Sequence, residues 1–599
     1  MIKNFRNFNN VDFALGQSAV ILGENQIGKT NLLFALRLIL DPSLPDSMRQ
    51  LNQTDFWDGL PRPLSVTDRI QVTVDVTGFE DDEDTLAILA DHLVIPEPMT
   101  ARLTYEFRPI PSLQSQPASD SDFEFLIYGG DRPENRVSYD VRKRIPLDIL
   151  HALRDVENDL NRWNKSPLRP LLERTQSKID KDELTKISKA VSLAESELSK
   201  LPEVGNLSGL LNKKLLEMAG TSQAMETAFG LSPKDSEKLI RTIRLYFDNG
   251  SRDISEASLG AANVLYLALR SLELDNFTIE GSRQHTFFAI EEPEAHIHPH
   301  LQRMVYRNYL RQRLDNGVEG REDHSANVSY FLTTHSPHIA SVAPLQSLVI
   351  LKKDSNGSTI AVSTAELDVS EPEREDLERY LDVSKAETLF ARGIIIVEGD
   401  AEKFLIPVLA ARAGYDLDAL GITLCNISGT NFVPYIKLFG PNGLNIPISI
   451  LTDNDPKKGK TLTFGENRVR NQILPNLLPF GESIEGKKAE DYGVFLNSWT
   501  FEIDLYNAGF VYQMNDTIQE LCTVKVAKNR FQKLADETKK EGTIVPLPDE
   551  DRFLKDIEYV GKGRFAQRLA MHINKISPKF KNCPDYILKG VKYVADHLI

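Results

Sequence analysis

Five mostly apolar runs in this chain stop on a charged residue or a glycine turn. Ala19-Val-Ile-Leu22 ends at Gly23, Thr286-Phe-Phe-Ala-Ile290 at Glu291-Glu292, and Tyr330-Phe-Leu-Thr-Thr334 at His335. Ile394-Ile-Ile-Val397 ends at Glu398, and Ile448-Ser-Ile-Leu451 runs through Thr452 to Asp453-Asn454-Asp455. Short apolar runs closed by turn residues read as strands buried on both faces, the pattern of parallel sheets in an α/β protein. Each stop then sets a polar side chain at the rim of a buried sheet.

Helical periodicity fills other stretches. Asn31–Leu40 and Asn263–Leu274 read as helices. Ile149, Leu153, Val156, Leu160 and Trp163 recur with 4-3-4-3 spacing, and Leu184, Ile187, Val191, Ala194, Leu198 and Leu201 with 3-4-3-4-3. They predict a helical hairpin around Ser166-Pro-Leu-Arg-Pro170, inserted over residues 148–225. Its narrow apolar seams either pack on their own domain or meet a second copy. The charged stretch 365–385 contains Pro372 and reads as a linker, placed at 371–387.

A chain of 599 residues is too long for one core and divides into several domains. No stretch approaches the roughly 18 apolar residues that a membrane span needs, and no apolar signal segment opens the chain, so a cytoplasmic protein is expected. Cys425, Cys522 and Cys583 are far apart, which suits a reducing compartment and excludes a four-cysteine zinc ribbon. The net charge of −16 argues against a protein that coats nucleic acid non-specifically. Local basic stretches remain: Lys457, Lys458 and Lys460, then Arg564, Arg568, Lys575, Lys579 and Lys581. They read as a nucleic-acid patch or as solvated surface.

The stops carry recognisable chemistry. Gly23-Glu24-Asn25-Gln26-Ile27-Gly28-Lys29-Thr30 is Gly-x-x-x-x-Gly-Lys-Thr between a strand and a helix, a phosphate cradle. Lys29 would neutralise the β- and γ-phosphates of ATP, and Thr30 would ligate one Mg²⁺. Glu291 would hold that ion, Glu292 would polarise the attacking water, and His335 would reach the γ-phosphate. His296, His298 and His300 alternate in a proline-containing loop, a poor metal geometry, and read as loop residues. Glu398, Glu402, Asp453 and Asp455 form a second acidic group. Asp453 and Asp455, two apart on an extended chain, would point the same way, and Glu398 and Glu402 lie about a turn apart. Carboxylates crowded at one rim repel each other unless a hard cation such as Mg²⁺ or Mn²⁺ sits among them.

The first set resembles the ABC-type ATPases of the SMC and RecF class. The resemblance makes Ile2–Phe8 the opening strand, Gln53 a Q-loop residue, and Ser258-Leu-Gly260-Ala-Ala262 the signature that contacts nucleotide on a second subunit. Asn25 and Gly28 would be phosphate-loop contacts. The signature lacks its second glycine, which implies slow or partner-dependent hydrolysis. The second set resembles a Toprim domain, with Glu398 its glutamate and Asp453 and Asp455 its aspartate pair. An ABC-type ATPase joined to a C-terminal Toprim is similar to the OLD (overcoming lysogenization defect) nucleases. In that family's motifs Glu402 and Glu502 are further metal ligands, Asp504 a second choice, Ile427–Phe432 a turn near the substrate, and Lys562 the base that neutralises transition-state charge. The implied architecture is α/β: ATPase lobes at 1–147 and 226–370, the dimerising helical insertion between them, and a Rossmann-like Toprim at 388–599.

The resemblance implies a DNA endonuclease working by two-metal phosphodiester hydrolysis, with two Mg²⁺ or Mn²⁺ in the Toprim site, regulated by ATP in either direction. It further implies a homodimer or larger homo-oligomer and a role in anti-phage defence, alongside a helicase or a reverse transcriptase with its RNA–DNA. The competing reading is a non-nucleolytic, ATP-gated DNA clamp of the SMC/RecF kind.

Overall fold

The computed structural model describes residues 1–113, 115–151, 159–160, 162–164, 166–199, 201–219, 241, 243–247, 252–311, 327–456, 462–478, 482–576 and 582–598. Of the residues singled out above, Leu153, Val156, Lys457, Lys458, Lys460, Lys579 and Lys581 lie outside them, as does the 225/226 boundary.

Three sheets organise the chain. An antiparallel one runs in the order Phe8–Val11, Ile2–Phe5, Ile70–Val76, Met99–Pro109, Leu93–Pro96, with Phe123–Gly129 also paired to Met99–Pro109. Beside it lies the sheet ordered Thr359–Ser363, Leu348–Lys353, Ala19–Gly23, Val328–Thr333, Thr286–Glu291, Leu147–Leu150, parallel throughout except for its antiparallel edge strand Thr359–Ser363. Together they form the ATPase half, the part whose sequence resembles the ABC-type class. The Toprim half is built on a four-stranded parallel sheet ordered Ile422–Asn426, Gly393–Val397, Ile448–Thr452, Val494–Leu496.

The apolar runs occupy the centres of these sheets because both of their faces are covered. Every residue of Ala19–Gly23, Gly393–Val397 and Ile448–Thr452 is buried. At about 1.5–3 kcal/mol for each large aliphatic side chain taken from water, Ile394, Ile395, Ile396 and Val397 can only be stable here as a central strand. In the Toprim sheet the chain leaves Gly393–Val397 to one side and returns on the other as Ile448–Thr452. That topological switch opens a crevice at the carboxyl ends of the two strands. Glu398 and Asp453 are the next residues on each.

Three expectations are corrected. Ile149 is not on an insertion helix: Leu147–Leu150 is a strand pairing in parallel with Thr286–Glu291, so the ATPase lobe extends to 150. The insertion is also more than a hairpin, since its described part holds helices Leu168–Ser177, Lys181–Ser199 and Pro202–Ala219, with Leu201 in the break before Pro202. The charged stretch 371–387 is not a free linker. It forms helix Glu371–Tyr380, started by a reciprocal Ser370–Glu373 cap, with Leu377 and Tyr380 turned inward. This helix ties the halves together. Glu378 accepts from Leu345 N at 3.1 Å in the ATPase half, and Glu373 pairs with Lys437 at 2.9 Å in the Toprim half. One buried cluster accordingly runs from Val20 and Leu332 through Leu377 and Leu389 to Ile394 and Phe432.

Candidate functional site

The glycine-rich loop is braced before any nucleotide arrives. Gly28 has φ +111°, and a Cβ there would stand 1.9 Å from the Asn7 amide, so only glycine fits. Asn7 donates to Ile27 O and accepts from Asn31 Nδ2 at 2.8 Å, tying the opening hairpin to the loop and the helix Lys29–Leu40. Lys29 is buried and donates to Gly23 O and Glu24 O, both at 2.9 Å. Burial brings its pKa down to about 8 against the pull of Glu292 and Glu294. Asn25 and Thr30 are exposed at the loop. Buried ammonium, exposed hydroxyl and free helix N-terminus suit a nucleotide triphosphate.

The other strand ends converge on the same rim. Glu291, buried, has Oε2 at 2.8 Å from His151 Nδ1. Glu292 is exposed, in a left-handed conformation (φ 42°), with Oε1 at 4.0 Å from His335 Nε2. Burial, and then the charge of Lys29, lower the His335 pKa against the opposing pull of Glu292. Glu294 accepts from His335 N and the Thr334 hydroxyl, both at 2.8 Å, and so fixes the switch loop to the Glu291 strand. Gln53 is half-buried in the same short helical turn as Asp55, whose partner Arg6 donates to Asn31. Ser258 is exposed and accepts from Ala261 N at 3.3 Å. A Cβ on Gly260 would lie 2.6 Å from His296 O, so the signature helix packs on the histidine loop. His298 and His300 stack on each other with centroids 5.7 Å apart, and the loop reading is corrected for His300, which lies in the first turn of helix Pro299–Arg311.

In the Toprim half, Glu398 and Asp453 are direct neighbours: Glu398 Oε1 accepts from Asp453 N at 2.9 Å and from the Thr452 hydroxyl. The extended geometry expected for the aspartate pair is corrected. The strand ends at Thr452 and Asp455 adopts φ 46°, so a turn rather than strand alternation places the two carboxylates. Asp453 Oδ1 accepts from Phe501 N at 3.1 Å and from the Asn497 side chain. Glu402, in the first turn of helix Asp400–Ala413, bends back until its Oε2 is 3.3 Å from where a Gly399 Cβ would be. Glu502 is 3% exposed, has one oxygen with no hydrogen-bond partner, and lies 3.6 Å from Lys562 Nζ. Helix Lys562–Asn574 brings that lysine in by packing on helix Asp400–Ala413, whose Asp400 Cβ lies 3.6 Å from where a Gly563 Cβ would be.

The electrostatics are those of crowded acids. Burial, then Glu398, Glu402, Glu502 and Asp455, push the Asp453 pKa well above the usual carboxylate range. Burial, Glu502 and Glu398 raise Glu402 to about 7. Burial works against the Lys562 ammonium, and Glu502, Asp453 and Glu558 outweigh it, so its pKa rises. Tyr586 is buried among Asp453, Glu402 and Asp504, and burial is the main reason that its phenol is held well above its normal range. Asp504 is turned aside: it accepts from Ser498 N at 3.1 Å and from the Ser498 hydroxyl. Ile427–Phe432 lies against the cluster, with Gly429 N donating to Glu398 O at 2.9 Å.

Hard oxygen donors, an orphaned buried oxygen on Glu502 and two carboxyls held towards their neutral form fit divalent cations such as Mg²⁺ or Mn²⁺. Among the described residues, no three His, Cys, Asp or Glu side chains are already gathered around one point. Arg468, which the sequence reading passed over, stands between them, with Nη1 at 2.7 Å from Glu398 Oε1 and Nη2 at 3.6 Å from Asp455 Oδ2. Asn497, Tyr586, His151 and Glu294 were missed as well. Only Asn497 carries a signal, being the polar residue that closes the strand Val494–Leu496.

Residues 389–455 match the family described as overcoming lysogenization defect protein-like, TOPRIM domain. Residues 102–340 match an AAA ATPase domain and residues 1–86 a family of unknown function, DUF2813. Endonuclease GajA of Bacillus cereus (strain VD045) is 24% identical over 511 residues, 82% of this chain and 82% of that protein. OLD nuclease of Thermus scotoductus (strain ATCC 700910 / SA-01) is 24% identical over 474 residues, 76% of this chain and 81% of that one. The solved C-terminal region of the Burkholderia pseudomallei OLD protein is 39% identical, covering 35% of this chain and all of that one (100%), with a TM-score of 0.31. Since that identity extends along the relative's whole length, and the Toprim match spans both Glu398 and Asp455, the chain belongs to the overcoming lysogenization defect (OLD) family.

Proposed function

We propose that this chain is a DNA endonuclease in which Glu398, Glu402, Asp453, Asp455 and Glu502 hold two Mg²⁺ or Mn²⁺ ions and the ATPase half governs cleavage. The observation that carries the reading is the hydrogen bond of Glu398 to Asp453 N at the topological switch point, with Glu402, Glu502 and Asp455 near enough to act on the Asp453 carboxyl and Lys562 3.6 Å from Glu502. When bound, divalent ions would supply water activation and neutralise the charge at phosphorus. Lys562, paired with Glu502, supplies a further positive charge for a phosphate oxygen. Asn497 and Phe501 N hold Asp453, so this carboxylate needs little reorganisation, and the Thr452 hydroxyl donates to Glu398. Asp504 serves as a support through Ser498 rather than as a ligand.

In the ATPase half, Lys29, Thr30 and Glu291 would take ATP and a third ion. Glu292 is set to orient water and His335 to sense the γ-phosphate. Ser258 and Gly260 would act on nucleotide bound to a second copy. The exposed Ile187, Leu193, Leu207, Leu210 and Leu211 of the insertion helices support a homodimer through that region. We extend the family's description, overcoming lysogenization defect, to a role in anti-phage defence.

The test is cleavage of supercoiled plasmid by the full chain in Mg²⁺ or Mn²⁺, with Asp453→Ala/Asp455→Ala and Lys29→Ala alongside. Loss of cutting in the double variant is expected, with an altered ATP response in Lys29→Ala. Undiminished cutting by the double variant would refute the assignment of the site, whereas a parent chain that binds DNA with ATP and does not cut it would favour the non-nucleolytic clamp. Light scattering with and without ATP tests the dimer, and phage plating on cells expressing either variant tests the defence role.

A further inference from the structure

Arg468 has no part in the motifs that mark the acid cluster, yet it makes the closest cationic contact within it. Its guanidinium meets Glu398 at 2.7 Å, also reaches the Thr452 hydroxyl, and lies 3.6 Å from Asp455, with the side chain only 12% exposed. Lys562 serves a different member of the cluster, 3.6 Å from Glu502. The two cations therefore divide the acids between them, and Arg468 takes the edge shared by the strand-end glutamate and the second aspartate.

The local fold delivers this arginine by design. Helix Phe464–Arg468 starts on a reciprocal cap between Thr463 and Glu466, and Gly465 N donates to Asn454 O at 3.0 Å. A Cβ on Gly465 would fall 2.3 Å from Asp453 O, so the helix start is pressed onto the aspartate turn itself. Directly after Arg468 the helix widens into a π-turn, Val469–Ile473, whose Val469 and Ile473 are buried. Widened turns of this kind are rare and recur at functional sites, where they re-aim a side chain.

We infer that Arg468 is a positioning residue that acts as a built-in counter-cation: it occupies the Glu398–Asp455 edge in the metal-free protein and must yield for a divalent ion to load there. This rests on the metal-site reading above. An arginine cannot shed its proton to make room, so its charge leaves only by movement of the side chain. Metal loading thus becomes an exchange of one cation for another, and the free metal concentration needed for cleavage is set partly by Arg468.

The experiment is a Mn²⁺ titration of the chelator-stripped full chain, following unbound Mn²⁺ by electron paramagnetic resonance. It compares the parent with Arg468→Gln, Arg468→Lys and Glu398→Gln. Arg468→Gln is expected to lower the half-saturating Mn²⁺ by about tenfold, as removal of a near positive charge from a cation site should. Arg468→Lys should stay near the parent, and the Mn²⁺ needed for half-maximal cleavage should fall in step with binding. Thr463→Ala loosens the carrier helix without touching an acid and should shift binding in the same direction. This keeps the idea testable if Arg468→Gln does not fold. Equal or weaker Mn²⁺ binding in a folded Arg468→Gln, or no shift in Thr463→Ala, overturns the counter-cation while Glu398→Gln still shows the metal site by its loss of binding. Absence of Mn²⁺ binding in the parent overturns the metal-site reading instead.

Discussion

Replacing Glu402 by glutamine should make the metal-free protein more stable and the metal-loaded protein less so. The Glu402 carboxyl is buried beside Glu502 and Glu398, and its pKa is pushed up from 4.5 to about 7. A carboxyl whose folded pKa exceeds its unfolded one favours the native state in its protonated form. Its contribution is fully present only in acid, and it is lost as pH climbs from the unfolded value through about 7. The rise corresponds to about 3 kcal/mol by pH 8 and about 1 kcal/mol at pH 5. Glutamine keeps the shape and cannot ionise. In chelator at pH 8 the variant should therefore melt roughly 6–12 °C above the parent, at about 2–4 °C per kcal/mol for a domain of this size. The gap should shrink to about a third at pH 5. Saturating Mn²⁺ at pH 8 should reverse the order, because only the parent keeps the full ligand set. Scanning fluorimetry from pH 5 to 8, with chelator and with Mn²⁺, measures all three. A variant that melts below the parent in chelator at pH 8, or a gap indifferent to pH, would refute the reasoning.

Glu502→Gln should weaken Mn²⁺ binding by about a hundredfold, in the range seen for direct or supporting ligands, while Asp504→Asn, whose partner is Ser498, should leave it within about threefold and lower the melting temperature instead. Gly260→Ala drives a Cβ to 2.6 Å from His296 O and should cut phosphate release from ATP about tenfold or more, with ATP binding unchanged in a fluorescent-nucleotide titration. Leu377→Ala empties a fully buried position on the helix that joins the halves, costing about 2–5 kcal/mol in denaturant unfolding. It should also blunt the response of cleavage to ATP, measured as the ratio of plasmid nicking with and without nucleotide.

The central strands could be read from the chain because their signal is local. Ile394–Val397 has no polar face to offer water, so it must be covered on both sides, and whatever follows it must emerge at the rim. Leu147–Leu150 shows where local reading stops. Ile149 satisfies both a strand and the start of the 4-3-4-3 helical series, and the pairing of Leu147–Leu150 with Phe287–Ile290, far along the chain, decides the matter. Glu371–Tyr380 misled for a different reason. Its composition is dominated by charges that face solvent, and only Leu377 and Tyr380 carry the packing that makes it a structural brace.

The same division runs through the two sites. Lys29, Glu291, Glu398 and Asp453 announce themselves because a glycine turn or a strand end sits beside each of them in sequence. Asn7 on the phosphate loop, His151 on Glu291, and Arg468 and Asn497 on the acid cluster belong to no acidic or glycine-rich motif and, although Asn497 closes a strand, find their partners only through the fold. These are also the residues that set how much each site must rearrange. A carboxylate pinned by Asn497 and Phe501 N is already placed, whereas one held by a guanidinium at 2.7 Å must first be released. Relatives sharing every acid of the motif would then differ in their metal requirement wherever they differ at the position of Arg468. A chain with the same five acids and a neutral residue there should cleave at lower free Mn²⁺ and be less stable when stripped of metal, because among the described residues it is Arg468 that meets both Glu398 and Asp455 and offsets their repulsion.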